Sequence, residues 1–356
     1  MLGPGCELDT DLLIVGAGTA GLATAIFARL AGYRCLVIES RIGVQDKACG
    51  EGLFPFTKTL LEELGVNPQP AISFCGIRYI ANGQLAEGLF AKGREGLGVR
   101  RTVLNAALIN RALSLGVRFH HAKVSEFADL GSHVEVCGFK GQWLIACDGL
   151  RSNIRKSLGM NCSPRLPYRF GMRQHFRCVD WPPFVEVHWY DDFEVYVTPV
   201  ARDTVNVAIL FSKSMRYEDC LAQAKEVNCR LGEPLTKLQG AGPFGRWTRT
   251  QQLGRVFLVG DAAGFLDPLT GEGNHIGLLS ARELVGCLVQ QRPQDYSKRW
   301  RKLVRGYWLV TTLLLWLGRN AKLRRLIVPV ASRAPILFRW AFAALDRVPY
   351  RPKPPF

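Results

Sequence analysis

Hydrophobic positions divide the chain into strand and helix signals that change period along its length. Leu12-Leu13-Ile14-Val15 is an uninterrupted apolar run of the kind found in a strand buried on both faces. It leads into Gly16-Ala17-Gly18-Thr19-Ala20-Gly21 and a helical stretch over 22–31, after which a second apolar strand, 34–38, ends at Glu39. Helical spacing recurs over 57–64 and 102–115, the latter through Val103, Leu104, Ala107, Leu108 and Ala112. Residues 117–121 and 123–127 read as strands, and 133–139 with 143–147 as a hairpin turning at Gly141. Short strands over 77–98 flank an Asn82-Gly83 hairpin signal. From residue 164 the period falls to two. The segments 185–189, 194–199 and 204–211 make a meander, followed by a helix over 217–231. Residues 255–259, a Gly-rich loop and a helix over 275–290 then repeat the opening strand–loop–helix pattern.

This order is α/β. It predicts a discontinuous Rossmann-type domain over 9–74, 98–162 and 250–294, and an antiparallel β-sheet substrate domain over 75–97 and 163–249. A C-terminal helical region, 295–348, and an unstructured tail, 349–356, complete the chain.

The opening stretch carries the first chemistry. In G-x-G-x-x-G, Gly16 permits the tight turn, Gly18 lets a pyrophosphate approach the backbone, and Gly21 lets helix and strand pack closely. Free N–H groups at the new helix's N-terminus face the phosphates. Glu39 ends the second strand, where a carboxylate accepts hydrogen bonds from a ribose diol and repels a 2′-phosphate. Gly240-Ala241-Gly242-Pro243-Phe244-Gly245 also matches the spacing, but no apolar strand precedes it, so it reads as a linker.

Composition changes this picture in two places. The 356 residues are 48% apolar and 21% charged, ordinary for a globular chain, but the net charge is +16. The stretch from Lys298 to Arg339 has eleven Lys/Arg and no acid, so it alone supplies +11. That concentration, with no recognition motif, argues against a nucleic-acid partner. The eleven cysteines show no C-x-x-C or zinc spacing, which implies a reducing, cytoplasmic setting and no metal. Met1 to Thr10 has no apolar stretch of the kind a signal peptide needs.

Loops between these elements hold the candidate reactive groups. Cys49 reads as a redox or positioning residue facing a cofactor, or as a small buried residue in a Gly-rich turn; Glu51 reads as a solvated or loop-bracing carboxylate. His120-His121, His175 and His188 read as sheet residues. Asp148 ends a strand where ligands of open α/β sheets bind, and Ser152 and Asn153 are N-cap candidates. Asp261 ends the later strand, placed to hold a ribityl hydroxyl. Amides over 271–274 open a helix able to stabilise negative charge on a reduced ring.

Three separated motifs carry a resemblance: G-x-G-x-x-G with Glu39, Asp148-Gly149-x-x-Ser152-x-x-Arg155, and Gly260-Asp261 with Pro268-x-x-Gly271-x-Gly273. Together they resemble the FAD-binding set of the p-hydroxybenzoate-hydroxylase-like flavoproteins, which include aromatic monooxygenases, flavin halogenases and geranylgeranyl reductases. Cys49-Gly50-x-Gly52, the 267–273 stretch and Arg101-x-x-Leu104-Asn105 are closest to the geranylgeranyl-reductase branch. The resemblance implies FAD, with NAD(P)H as transient electron donor. It implies FAD contacts at Gly16, Gly18, Ala20, Gly21, Glu39, Ser40, Arg41, Arg101, Val124, Asp148, Gly149, Gly260, Asp261, Pro268, Gly271, Gly273 and Asn274, with Cys49 and Glu272 as catalytic candidates. The chain departs from it in three ways. Gly264 stands where hydroxylases carry His, the halogenase W-x-W-x-I-P motif and catalytic lysine are not seen, and 194–199 replaces the reductase Y-x-W-x-F-P strand. The expected activity is a monooxygenase acting on a lipophilic or aromatic small molecule. Alternatives are a C=C reductase of an isoprenoid and an accessory electron-transfer or protein-modifying flavoprotein at a membrane.

The apolar run 308–317 is short of the ~20 residues a membrane span needs. Basic residues flank it, and Trp300, Trp308, Trp316 and Trp340 sit among them. The pattern suits peripheral membrane contact through 298–340 at the cytoplasmic surface, or a helical lid over the substrate cavity. No oligomeric state is implied.

Overall fold

The computed structural model describes residues 7–162, 168–212 and 215–334. The expected tail, the last part of the C-terminal region and Trp340 lie outside them. In chain order the main elements are β1 (Thr10–Val15), α1 (Thr19–Leu30), β2 (Cys35–Glu39), α2 (Pro55–Leu64), β3 (Gly76–Ala81), β4 (Gln84–Leu89), α3 (Arg101–Ser114) and β5 (Arg118–His121). Then come β6 (Val134–Val136), β7 (Phe139–Ala146), α4 (Asn153–Ser157), β8 (Phe170–Arg177), β9 (Phe184–Trp189), β10 (Phe193–Ala201) and β11 (Thr204–Phe211). The chain continues through α5 (Tyr217–Gln223), α6 (Lys225–Asn228), β12 (Gln239–Ala241), β13 (Val256–Leu258), α7 (Gly273–Val289), α8 (Tyr296–Gly318) and α9 (Ala321–Arg333).

The first sheet is parallel through β13-β7-β1-β2-β5, with β1 at its centre between β7 and β2. Leu12, Leu13 and Ile14 are completely buried, each burial contributing roughly 1.5–3 kcal/mol. Small residues on α1 (Gly21, Ala23, Ala25, Ala28) let it sit close to this sheet and against α7, itself buried almost all round.

The second sheet runs β12-β8-β11-β10-β9-β3-β4. It is antiparallel except where β9 pairs β3 in parallel, because the two strands reach the sheet from distant parts of the chain. Its back face packs Val195, Val197, Val205, Val207 and Ile209 against α5 and α6. Its front face looks toward the first sheet's motifs. α8 and α9 cover the β3–β4 end of that same front face.

Several sequence expectations are corrected. Segment 123–127 forms no strand; Val124 there is half-buried against the main core. The hairpin turns at Cys137 and Gly138, both at positive φ, rather than at Gly141. Gly141 is glycine for another reason: a Cβ there would lie 2.8 Å from Leu13 Cγ. The helix expected over 217–231 breaks at Ala224 into α5 and α6. β9 alternates in sequence yet is buried on both faces.

Candidate flavin and substrate site

The three glycines of the first motif do different work. A Cβ on Gly16, whose φ is 106°, would lie 2.5 Å from the Cys147 carbonyl oxygen. One on Gly21 would lie 1.9 Å from the Gly16 oxygen. These two close the fold. A Cβ on Gly18 would meet nothing nearer than Arg101 Nη2 at 3.9 Å, so the surface over the α1 N-terminus stays open. Ala20 packs against Gly260, whose own Cβ would come within 2.7 Å of it. Glu39 Oε2 accepts the Ala17 N–H at 2.7 Å, and Oε1 accepts from Ser40 Oγ and the Arg41 N–H. Burial pushes this carboxyl up, but those hydrogen bonds and Lys47 outweigh it and hold it below its usual value.

The second and third motifs are bound to each other by Arg155. Its guanidinium donates to the carbonyls of Leu150, Asp261 and Ala262 and to Asn161 Oδ1. Asp148 Oδ2 accepts the Asn153 and Ile154 amides, while Ser152 caps α4 through the Arg155 N–H. Asp148 Oδ1 is buried with no protein partner. Burial raises the Asp261 carboxyl despite Arg101, Lys47 and Arg155 nearby.

Asn274, in the first turn of α7, joins four segments. Its Oδ1 accepts from Arg101 Nη1 at 3.0 Å and Thr19 Oγ1 at 3.3 Å, and its Nδ2 donates to Cys49 Sγ at 3.4 Å. The loop 46–51 is fastened to the front face of the second sheet. Arg173 pairs with Asp46, Asn206 Nδ2 donates to the Cys49 carbonyl at 2.8 Å, and His175 Nε2 meets Glu51 Oε2 at 2.6 Å. Glu51 Oε1 accepts the Arg101 N–H at 2.7 Å. Glu51 is therefore a buried brace and is not solvated, and His175 is its partner. His188 lies on the back face, paired with Glu186.

Between the sheets is a cavity of about 570 Å³. One wall brings together Gly18, Ala20, Arg41, Arg101, Asp148, Gly149, Gly260, Asp261, Pro268, Gly271, Gly273 and Asn274. Gly16, Gly21, Glu39, Ser40 and Val124 are not on it. Lys47, which the sequence reading missed, reaches this wall, and burial lowers its pKa. The opposite wall is apolar: Phe54, Phe74, Ile77, Val185, Val187 and Leu210, with Tyr79 and Tyr196 among them. Cys49 Sγ sits where the walls meet. Glu272 does not line the cavity; it is buried behind Gly271 and Gly273, and burial alone pushes its carboxyl up to about 8.

Residues 9–71 match the model of the FAD binding domain. A menaquinone reductase of Mycolicibacterium smegmatis is 25% identical, over 95% of this chain and 91% of the relative. A digeranylgeranylglycerophospholipid reductase of Methanopyrus kandleri is 26% identical, over 83% of this chain and 87% of the relative. In structure, the flavin-dependent halogenase CmlS superposes with a TM-score of 0.79 at 17% identity, covering 99% of this chain and 74% of CmlS. A flavoprotein/dehydrogenase from Cytophaga hutchinsonii gives 0.74 at 17% identity, covering 90% of this chain and 92% of that one. The fold is thus that of the Rossmann-type FAD flavoproteins. The protein is an FAD-dependent oxidoreductase, related to geranylgeranyl-type and menaquinone reductases.

The residues present fit FAD. Open surface lies over Gly18, Arg41, Lys47 and Arg101 supply positive charge, and Arg101 Nε and Asp148 Oδ1 are buried without protein partners.

Proposed function

We propose that the protein reduces carbon–carbon double bonds in a lipophilic, isoprenoid-like substrate, with NAD(P)H as electron donor. The observation that carries this reading is the apolar sheet face directly across the cavity from the three flavin motifs. Relatives spanning most of the chain and named as reductases support it. FAD, when bound and reduced, would supply a hydride to one carbon of the double bond, the other carbon taking a proton from solvent. The chain's own part is to orient and to exclude water. Asn274 and Arg101 hold the flavin wall against Cys49, Tyr196 donates to the Leu269 carbonyl at 3.0 Å to lock the walls together, and the apolar wall positions the chain.

The monooxygenase expected from the sequence would use the same cofactor and cavity. Anaerobic reduction with NADPH or NADH, followed by a polyprenyl alcohol, separates the two. A product carrying two added hydrogens, formed without oxygen, supports the reductase; a hydroxylated product formed only when oxygen is admitted supports the monooxygenase.

The C-terminal helices favour membrane contact as well. Leu309, Leu313 and Trp316 are 71, 53 and 56% exposed along one face of α8, with Leu326 and Val330 exposed on α9. Lys302, Arg305, Arg319, Lys322 and Arg325 frame them. Among the described residues no helix is long and apolar enough to cross a membrane. An apolar stripe with a basic rim suits the surface of an anionic bilayer on its cytoplasmic side, at about 1 kcal/mol per basic residue near the lipid. Flotation with anionic but not with zwitterionic vesicles is the expected result; equal flotation with both, or none, contradicts it.

A further inference from the structure

The front face of the second sheet has a direction. Register places Arg173, Ala208, Tyr196, Val187 and Tyr79 side by side across β8, β11, β10, β9 and β3, with Ala86 of β4 beyond. At the β8 end the row is polar and closed, since Arg173, His175 and Asn206 hold the loop 46–51. Toward β3 the face becomes mostly apolar, with Tyr196 and Tyr79 in it, and passes beneath α8 and α9. There Ile77, Ala81, Ala86, Val185 and Val187 share one buried cluster with Val328, and the half-buried Leu314, Leu315, Ile327 and Ala331 pack against it.

The helix pair is fastened by polar contacts around this apolar patch. Arg324 pairs with Glu194 and donates to the carbonyls of Tyr190 and Phe193, and Arg325 pairs with Asp191. Tyr307 donates to the Asp267 carbonyl, and Thr311 meets Thr270. Beside the cavity's far end, Ile77, Val185 and Val187, which line it, pack in one apolar cluster with Ile327 and Val328.

We propose that Ile327 and Val328 of α9, clustered with the cavity-lining Ile77, Val185 and Val187, back the end wall of the substrate cavity and set the longest apolar chain it accepts. The ligand is an extended hydrocarbon chain lying across the strands, its far end at Ile77 and Tyr79, where α9 backs the wall. Five strands at the usual spacing give it a run of ~19 Å. The inference rests on the reductase reading for substrate class, but chain binding can be measured without turnover.

The test titrates the FAD-loaded protein with straight-chain alcohols and polyprenols of graded length, following the flavin absorbance, and then measures turnover of the polyprenols. Wild-type affinity is expected to rise with length and then fall sharply past a limit. Val328→Ala and Ile327→Ala should move that limit to longer chains, with at least tenfold tighter binding of the first excluded length, and Val328→Phe should move it shorter. Leu113→Ala, on the exposed side of α3, should leave it in place. An unchanged length profile in all three end-wall variants, each still holding FAD, overturns the end wall whatever the turnover shows. So does a wild-type profile with no limit, or no binding at any length. Length-limited binding that shifts as expected, but with no double bond reduced, keeps the end wall and removes the reductase reading.

Discussion

His175 Nε2 and Glu51 Oε2 lie 2.6 Å apart, fully buried, and through this contact the second sheet holds the N-terminus of α3. Glu51 turns its second oxygen to the Arg101 N–H, at the start of α3, whose dipole favours a carboxylate there. Arg101 in turn reaches Asn274 at the start of α7. Removing Glu51 leaves His175 Nε2 and the Arg101 N–H without the carboxylate they share, while His175 Nδ1 keeps Thr236 and Arg173. Glu51→Ala, which leaves two buried donors unsatisfied, is therefore expected to cost roughly 1–3 kcal/mol or more in denaturant unfolding and to weaken FAD binding. His175→Phe should be milder, because the α3 contact survives. Equal stability of both variants and wild type would remove the brace.

The glycines separate folding from cofactor binding. Gly21→Ala drives a methyl group into the Gly16 carbonyl, 1.9 Å away, and should leave little folded protein. Gly18→Ala meets open space, so apoprotein stability should change by no more than ~0.5 kcal/mol. FAD affinity should fall at least tenfold, because the methyl group occupies the ground a pyrophosphate needs. Calorimetry of the apoprotein and flavin titration read the two effects independently.

Glu272 makes stability depend on pH. Its folded pKa stands near 8, against an ordinary 4.5. The folded state therefore holds the proton more tightly than the unfolded state. Stability is fully present below about 4.5 and is lost progressively as pH rises toward 8. Glu272→Gln, neutral throughout, should melt close to wild type at pH 5 and clearly above it at pH 8.5 in the apoprotein. A constant difference across that range would show that the carboxyl is not held neutral by burial.

Arg155 is expected to matter as a clamp. Hydrogen bonds from a charged donor contribute roughly 1.5–3 kcal/mol each, and this side chain donates to three backbone carbonyls in two motifs. Arg155→Met should lower the melting temperature by several degrees and raise the FAD dissociation constant. An unaltered flavin affinity in a destabilised protein would confine its role to folding.

How much of this the sequence revealed follows from distance along the chain. The Rossmann unit was legible because strand, glycines and terminal acid lie within about thirty residues and each has a local physical reason. The three motifs were recognisable by type. Their fastening was not, because Thr19, Cys49, Arg101 and Asn274 meet only after the chain has closed over separations of up to 255 residues. Lys47 and the Glu51–His175 pair were missed or read blandly for the same reason: a polar loop looks alike whether it faces solvent or a sheet. Gly141 misled because a glycine signals both turns and close approach, and only the neighbouring Leu13 tells which. The two C-terminal alternatives were a lid and a membrane contact. The helix pair covers the front sheet with one apolar side and exposes another, which a one-dimensional pattern cannot assign.

The central claim is that three distant pieces of chain close around one FAD, facing an apolar wall. It is tested most directly by the visible absorption of the freshly purified protein, followed by titration of the stripped protein with FAD. A yellow protein that rebinds one FAD per chain, with Gly18→Ala weakened though folded, is the expected result. A folded, colourless protein that takes up no FAD would contradict the account.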